Sequence, residues 1–201
     1  MDDLMIRQMT AEDKDVVAKF IYNSFWQKML PLHSLTEEEA LMLIEGIMLG
    51  SEFSMSLYYV AELKGEVVGA IKLKKHEDEE EFTITANKVL LKIGVIKLIK
   101  AGILLSAMDT KVLKGHLYIE LFAVDEAYRN RGIGTKMLEF SVEEAKRAPG
   151  INHLSLHVVE KNHLAMKLYE RFGFKTLRSQ WNSVIKGLGG IRKVYFMDLE
   201  I

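Results

Sequence analysis

Residues 117–136 read LYIELFAVDEAYRNRGIGTK, and this stretch decides the fold. Its first half is apolar at nearly every position from Leu117 to Val124, the pattern of a strand covered on both faces. A polar turn follows, Asp125–Asn130, and Arg131-Gly132-Ile133-Gly134 opens a helix predicted over Thr135–Lys146. A strand, a glycine-rich turn and a helix start together aim unpaired backbone N–H groups and the positive end of a helix dipole at one point. Anions, phosphates above all, bind at such points. Glycine at 132 and 134 admits a ligand where a Cβ would intrude. The stretch reads as a pyrophosphate cradle.

Two familiar cradles are excluded. A G-x-G-x-x-G fingerprint needs a third glycine where this chain has Met137, and no G-x-x-x-x-G-K-[ST] string occurs. The pattern present is R-x-x-G-x-G, Arg129 to Gly134, after a strand ending Leu121-Phe122-Ala123-Val124-Asp125. A second dense pattern lies downstream: Leu156-x-Val158, then Asn162-x-x-Ala165-x-x-Leu168-Tyr169-Glu170-x-Phe172-Gly173-Phe174. In this order the two closely resemble the acetyl-CoA loop and the Y-E-x-x-G-F helix of the GNAT superfamily of N-acetyltransferases. Together they cover about 117–174.

The resemblance implies an α+β fold with a mixed sheet of about six to seven strands flanked by helices, and a single domain over 1–201. It implies that Leu117–Val124 and Leu154–Val159 splay at their C-terminal ends to admit the pantetheine arm of acetyl-CoA. That arm would pair with backbone groups of Phe122, Ala123 and Val124. The pyrophosphate would take amides of Arg129, Asn130, Arg131, Gly132, Ile133, Gly134 and Thr135. Asn162 is either a simple N-cap of the second helix or a cap that also touches the arm. The implied reaction is direct attack of a primary amine on the thioester in a ternary complex. An N–H near Val124 would hold the oxyanion, and Tyr169 would protonate the leaving thiolate. Glu120 is the expected base, on the strand face of Tyr118 and Phe122; its alternative is a plain ion pair. Two other readings of the same fold stand beside this one: a non-catalytic acyl-CoA sensor or interaction module, and a transferase for a longer acyl group.

The remaining composition agrees. The chain has 201 residues, 49% hydrophobic and 27% charged, with a net charge of −1, which argues against nucleic acid as a partner. There is no cysteine, hence no thiolate metal site and no Cys nucleophile. No metal is expected: His153 and His157 stand four apart on a strand, about 13 Å, too far for one ion. The start, MDDLMIRQMT, lacks the basic and apolar features of a signal peptide, and a cytoplasmic enzyme is expected.

Taken in order, Leu4–Met9 reads as a strand, and Thr10 with Asp13 as a capping box opening a helix to about Trp26. Thr36 with Glu39 opens a second helix towards Gly50. This strand–helix–helix opening is also that of the GNAT family, where the helices border the acceptor site. Met55–Leu63 and Glu66–Lys74 form a hairpin about Lys64-Gly65. The acidic run Glu77–Glu81 reads as a solvated loop, its alternative being a lure for a cationic amine beside the acceptor cleft. Asn87–Met108 carries four lysines and no acid, too charged to span a bilayer. Gly94 and Gly102 suggest one broken helix or two short ones, so a helical insertion at about 86–110 is expected, serving as a lid or core helix, as a homodimer contact, or as a membrane-surface helix. Phe174–Ser179 and Lys193–Glu200 close the sheet, joined through a turn at Lys186–Gly190. The acceptor is a small-molecule or peptide amine, its pocket assigned to Phe25–Gly50, Asn87–Met108 and the closing strands.

Overall fold

The computed structural model describes residues 3–24, 35–78, 93–106, 110–180 and 193–201. Among the described residues seven strands are present: β1 (Leu4–Gln8), β2 (Tyr58–Leu63), β3 (Glu66–Lys74), β4 (His116–Val124), β5 (His153–Val159), β6 (Lys175–Gln180) and β7 (Val194–Glu200). They form one mixed sheet in the order β1-β2-β3-β4-β5-β7-β6. The β4–β5 pair is parallel, whereas β1–β2, β5–β7 and β6–β7 are antiparallel. The expected mixed sheet is thus present.

The residues group into two compact units, Met1–Ala70 with Glu79–Thr110, and Ile71–Asp78 with Lys111–Ile201. In the first, a 3-10 turn (Ala11–Asp13) leads into α1 (Lys14–Ser24). Val17, Ala18, Phe20 and Ile21 of α1 are buried at helical spacing. The Asp13 carboxylate takes hydrogen bonds from the Thr10 amide at 2.8 Å and hydroxyl at 3.0 Å, as the capping pattern predicts. It also receives both terminal nitrogens of Arg7, at 2.7 and 2.9 Å, while Arg7 Nε donates to Glu62 at 2.7 Å. The guanidinium holds the Asp13 carboxyl below its ordinary range.

The helix α2 (Glu37–Leu43) starts on the second predicted box. The Thr36 amide donates to Glu39 at 2.8 Å, and the Glu39 amide to the Thr36 hydroxyl at 3.2 Å. α2 runs on into a π-helical turn, Ile44–Met48. One expectation is corrected here. The strand placed at Met55–Leu63 begins at Tyr58, because α3 (Glu52–Ser56) precedes it, capped by a bond from the Ser54 amide to the Ser51 hydroxyl at 2.9 Å. Within the segment expected to be an insertion, α4 (Val95–Ser106) starts after Gly94, whose φ is +81°, as expected of that glycine, whereas Gly102, expected to break the segment too, lies inside α4. Lys97 of α4 reaches both oxygens of Glu39 at 2.8 Å. The stretches 79–92 and 181–192, with the Lys186–Gly190 turn, lie outside the described residues, as do most of the acidic run and the segment 25–34.

The second unit carries β4, α5 (Ile133–Arg147), β5, α6 (His163–Phe172), β6 and β7. Its core is Leu117, Ile119, Leu154, Leu156 and Val158 from the sheet, with Ile133, Met137, Leu138 and Ala145 from α5. No helix among the described residues is long and apolar enough to cross a membrane.

Asp13 joins a cap to a buried ion pair, so Asp13→Ala leaves a turn amide and part of Arg7 unpartnered. A loss of about 2–4 kcal/mol in urea unfolding is expected, against a change within about 0.5 kcal/mol for a surface control such as Lys136→Ala.

Candidate active site

The site begins where two strands part. β4 and β5 pair in register only from His116 opposite His153 to Ile119 opposite Leu156. Both run on, to Val124 and Val159, without further pairing to each other. Backbone N–H and C=O groups on the facing edges are thereby released from the ladder. Phe122, Ala123 and Val124, the residues expected to meet a pantetheine arm, lie on this parted segment of β4.

Beyond β4 the chain makes a 3-10 turn, Glu126–Tyr128, capped by Asp125, which accepts from the Ala127 amide at 2.8 Å. Arg129 is tied into the loop: its Nε donates to Val124 O at 3.1 Å and its terminal nitrogen to Glu126 at 2.7 Å. Its amide donates to Glu126 O at 3.3 Å, so this amide differs from the others in the expected phosphate set in already being engaged. Arg131 lies over the Tyr128 ring at 5.1 Å. Asn130 (φ +61°) and Gly132 (φ +78°) both take the left-handed backbone that turns the chain into α5. Gly132 is the N-cap, and the first helical bond, Lys136 N to Gly132 O, is 3.1 Å. The amides of Ile133, Gly134 and Thr135 precede it and have no partner within the helix.

Gly134 has a different reason from the one its pattern suggests. A Cβ there would lie 3.0 Å from Leu168 Cδ2 and 3.5 Å from the Phe122 ring. The missing side chain lets α5 approach α6 and β4 closely.

α6 is held at both ends. The Asn162 side chain accepts from the Ala165 amide at 3.3 Å. At the other end Gly173 takes φ +117°, and the amides of Gly173 and Phe174 both return to Tyr169 O, at 3.1 and 3.0 Å. The Y-E-x-x-G-F pattern is therefore a helix stop that fixes Tyr169. This tyrosine is buried, its ring edge-on to Phe122 with centroids 5.8 Å apart and tilted on Phe174 at 5.7 Å. Burial, and then the neighbouring Tyr118, push its hydroxyl well above the ordinary tyrosine range, so it keeps its proton.

Glu120, the expected base, forms an ion pair with Lys72 Nζ at 2.6 Å; the lysine side chain is buried and the glutamate side chain 30% exposed. A pair the sequence reading passed over lies beside it. The Tyr118 hydroxyl and His157 Nδ1 are 2.9 Å apart across β4 and β5; Tyr118 pairs with Ser155 in the ladder, and His157 is the first residue of β5 past its last pair. Burial, then the nearby Arg178, push the His157 imidazole down to about 4, so it is neutral at pH 7. The alternation of Tyr118 with Ile119 and of His157 with Val158 carries the signal for this pair, but only the cross-strand register discloses it.

Residues 18–174 match the model of the Acetyltransferase (GNAT) family. The spermine/spermidine N(1)-acetyltransferase of Bacillus subtilis is 33% identical over 61 residues, 30% of this chain and 40% of that protein. An N-alpha-acetyltransferase of Sulfurisphaera tokodaii is 31% identical over 121 residues, 60% of this chain and 58% of its own. The chain thus spans roughly half the length of these curated relatives. A crystal structure described as an acetyltransferase superposes with a TM-score of 0.70 at 26% identity, covering 98% of this chain and 99% of that one. With the parted strands and the glycine loop in place, the match over most of its length makes the chain a member of the GNAT acetyltransferase family.

Proposed function

We propose that the protein transfers the acetyl group of acetyl-CoA to a primary amine, and that the preferred acceptor is the α-amino group of a peptide or amino acid. The observation that carries this reading is the early end of the β4–β5 ladder, with three unpaired helix-start amides following β4. The gap suits the amide-bearing pantetheine arm, and the amides of Asn130–Thr135 with Arg131 suit a diphosphate. Tyr169, protonated and buried, is the donor to the leaving thiolate, and an N–H at Val124 is the oxyanion donor.

The acceptor class follows from the strength of the base. Glu120 is engaged by Lys72 Nζ at 2.6 Å, and an acid already paired suits attraction of a cationic amine better than removal of its proton. The neutral Tyr118–His157 pair is the proton acceptor, Tyr118 taking the amine proton as it passes its own to His157. Such a pair is a weak base. An α-amine, with a pKa near 7.7–8.0, is about one-tenth free base at pH 7, whereas an alkyl ammonium near 10.4 is below about one in a thousand. A weak base therefore favours α-amines, and the name of the Sulfurisphaera relative agrees. A short peptide should release CoA thiol faster than spermidine at equal concentration; the opposite order across a peptide panel would reject the α-amine assignment. Binding of CoA without thiol release from any amine would instead favour a sensor of the same fold.

Gly132→Val combined with Gly134→Val, checked for folding by circular dichroism, should weaken CoA binding by more than about a hundredfold. The expected cause is displacement of the loop amides, by strain at Gly132, whose φ of +78° valine rarely adopts, and by a side chain at 134 against Leu168, with two charge-assisted hydrogen bonds of about 1.5–3 kcal/mol each weakened as a result. Tyr169→Phe should lower kcat by about 10²-fold or more with little change in the KM for acetyl-CoA, measured by thiol release. Glu120→Gln should raise the acceptor KM more than it lowers kcat.

His157 also predicts a pH effect on stability. Its folded pKa, about 4, lies below the ordinary 6.5, so its contribution is complete above pH 6.5 and is lost as pH falls towards 4. Urea midpoints should fall across that window in the parent and fall less steeply in His157→Gln.

A further inference from the structure

A second cluster lies outside this site, at the opposite ends of the same strands. His116 and His153 are the first residues of β4 and β5 and stand opposite each other in the parallel register. Their rings stack with centroids 4.6 Å apart and planes 12° apart. Asp198, on the adjacent β7, turns one oxygen to each: His153 Nδ1 to Oδ2 is 2.9 Å and His116 Nδ1 to Oδ1 is 3.4 Å. One ligand atom from each residue lies within 4.8 Å of the others. His116 Nδ1 and Asp198 Oδ1 are both buried, and neither has a hydrogen-bond partner among the described residues. Two buried polar atoms thus face each other without a proper bond between them, an arrangement that is costly unless a further group satisfies them.

We propose that His116, His153 and Asp198 bind a divalent transition-metal ion, zinc being the best match, as a clasp across β4, β5 and β7. Two imidazoles and one carboxylate suit zinc and its neighbours, whereas calcium and magnesium prefer all-oxygen sets. A tetrahedral zinc with bonds of about 2.0–2.2 Å sets its ligand atoms about 3.3–3.5 Å apart. The His116–Asp198 separation of 3.4 Å already meets this; the widest pair must close by a swing of the stacked rings. His153, with its side chain 33% exposed against 11% for His116 and 10% for Asp198, is the open side by which an ion enters. A water would complete four-fold coordination there. All three ligands come from neighbouring strands, so they are positioned by the sheet and need no loop to order. His116 stands eight residues before Val124, about 26 Å along an extended strand. Tyr118 stands two residues after His116, about 7 Å along the strand; the role assigned to the ion is to tie the strands together.

The test uses the full chain stripped of metal with a chelator. Co²⁺ should bind in a one-to-one ratio and give the intense visible absorption of a four-coordinate site, displaced by Zn²⁺. At a hundredfold excess over its Kd, Zn²⁺ should raise the Tm by about 5–10 °C. His153→Ala, at the most exposed ligand, and Asp198→Asn, which preserves shape, should each weaken binding by about a hundredfold or more while giving far-ultraviolet spectra like the parent. The absence of a Co²⁺ band and of a Zn²⁺ shift in the parent overturns the proposal. So does parent-like affinity in both variants, which would assign the metal to another histidine.

Discussion

Two strands that cease to pair before they end impose the main constraint on this molecule. Four residue pairs join β4 to β5, and past Leu156 and Ile119 the facing backbone groups must find water or a ligand. A hydrocarbon could not satisfy them, but an extended chain carrying amides can. The groups assigned chemistry in the proposed reaction gather at this fork: Tyr118 and His157 near its vertex, Phe122 and Tyr169 in edge-on contact, and the start of α5 after β4. The sheet thus supplies position, and the side chains have only to supply protons and charge.

The burial of these groups determines their protonation. Tyr169 and His157 shift in opposite directions for one reason, the cost of charge away from water, and both are left neutral. Lys72 and Glu120 meet the same cost differently, by pairing. Position alternates along the strands: Leu117 and Ile119, with Leu154, Leu156 and Val158, pack into the core, while His116, Tyr118, Glu120, His153 and His157 occupy the intervening places. One face of the sheet is thus apolar and the other is built largely of titratable groups.

Much of this was legible along the chain. Thr10 with Asp13 and Thr36 with Glu39 form the predicted caps, because a capping box joins residues three apart. The Lys64-Gly65 turn, the strand Glu66–Lys74 and the stop at Gly173 were readable for the same local reason. Residues joined across strands were not. His153 was compared with His157 on its own strand, whereas its neighbour is His116, and Tyr118 showed no link to His157 until the register was known. The short helix Glu52–Ser56 was hidden by apolar residues that read as the start of a strand. Gly134 was assigned to ligand approach, while its close neighbours prove to be Leu168 and Phe122.

That last contact ties the family's two signatures together. Leu168 precedes Tyr169 in the chain, so the atom nearest an enlarged residue 134 belongs to the turn of helix that carries the buried tyrosine. At 3.0 Å that leucine tip must give by a few tenths of an ångström to admit a Cβ, so the start of α5 and the middle of α6 are in mechanical register, and substitutions at these two contacting positions are expected to couple.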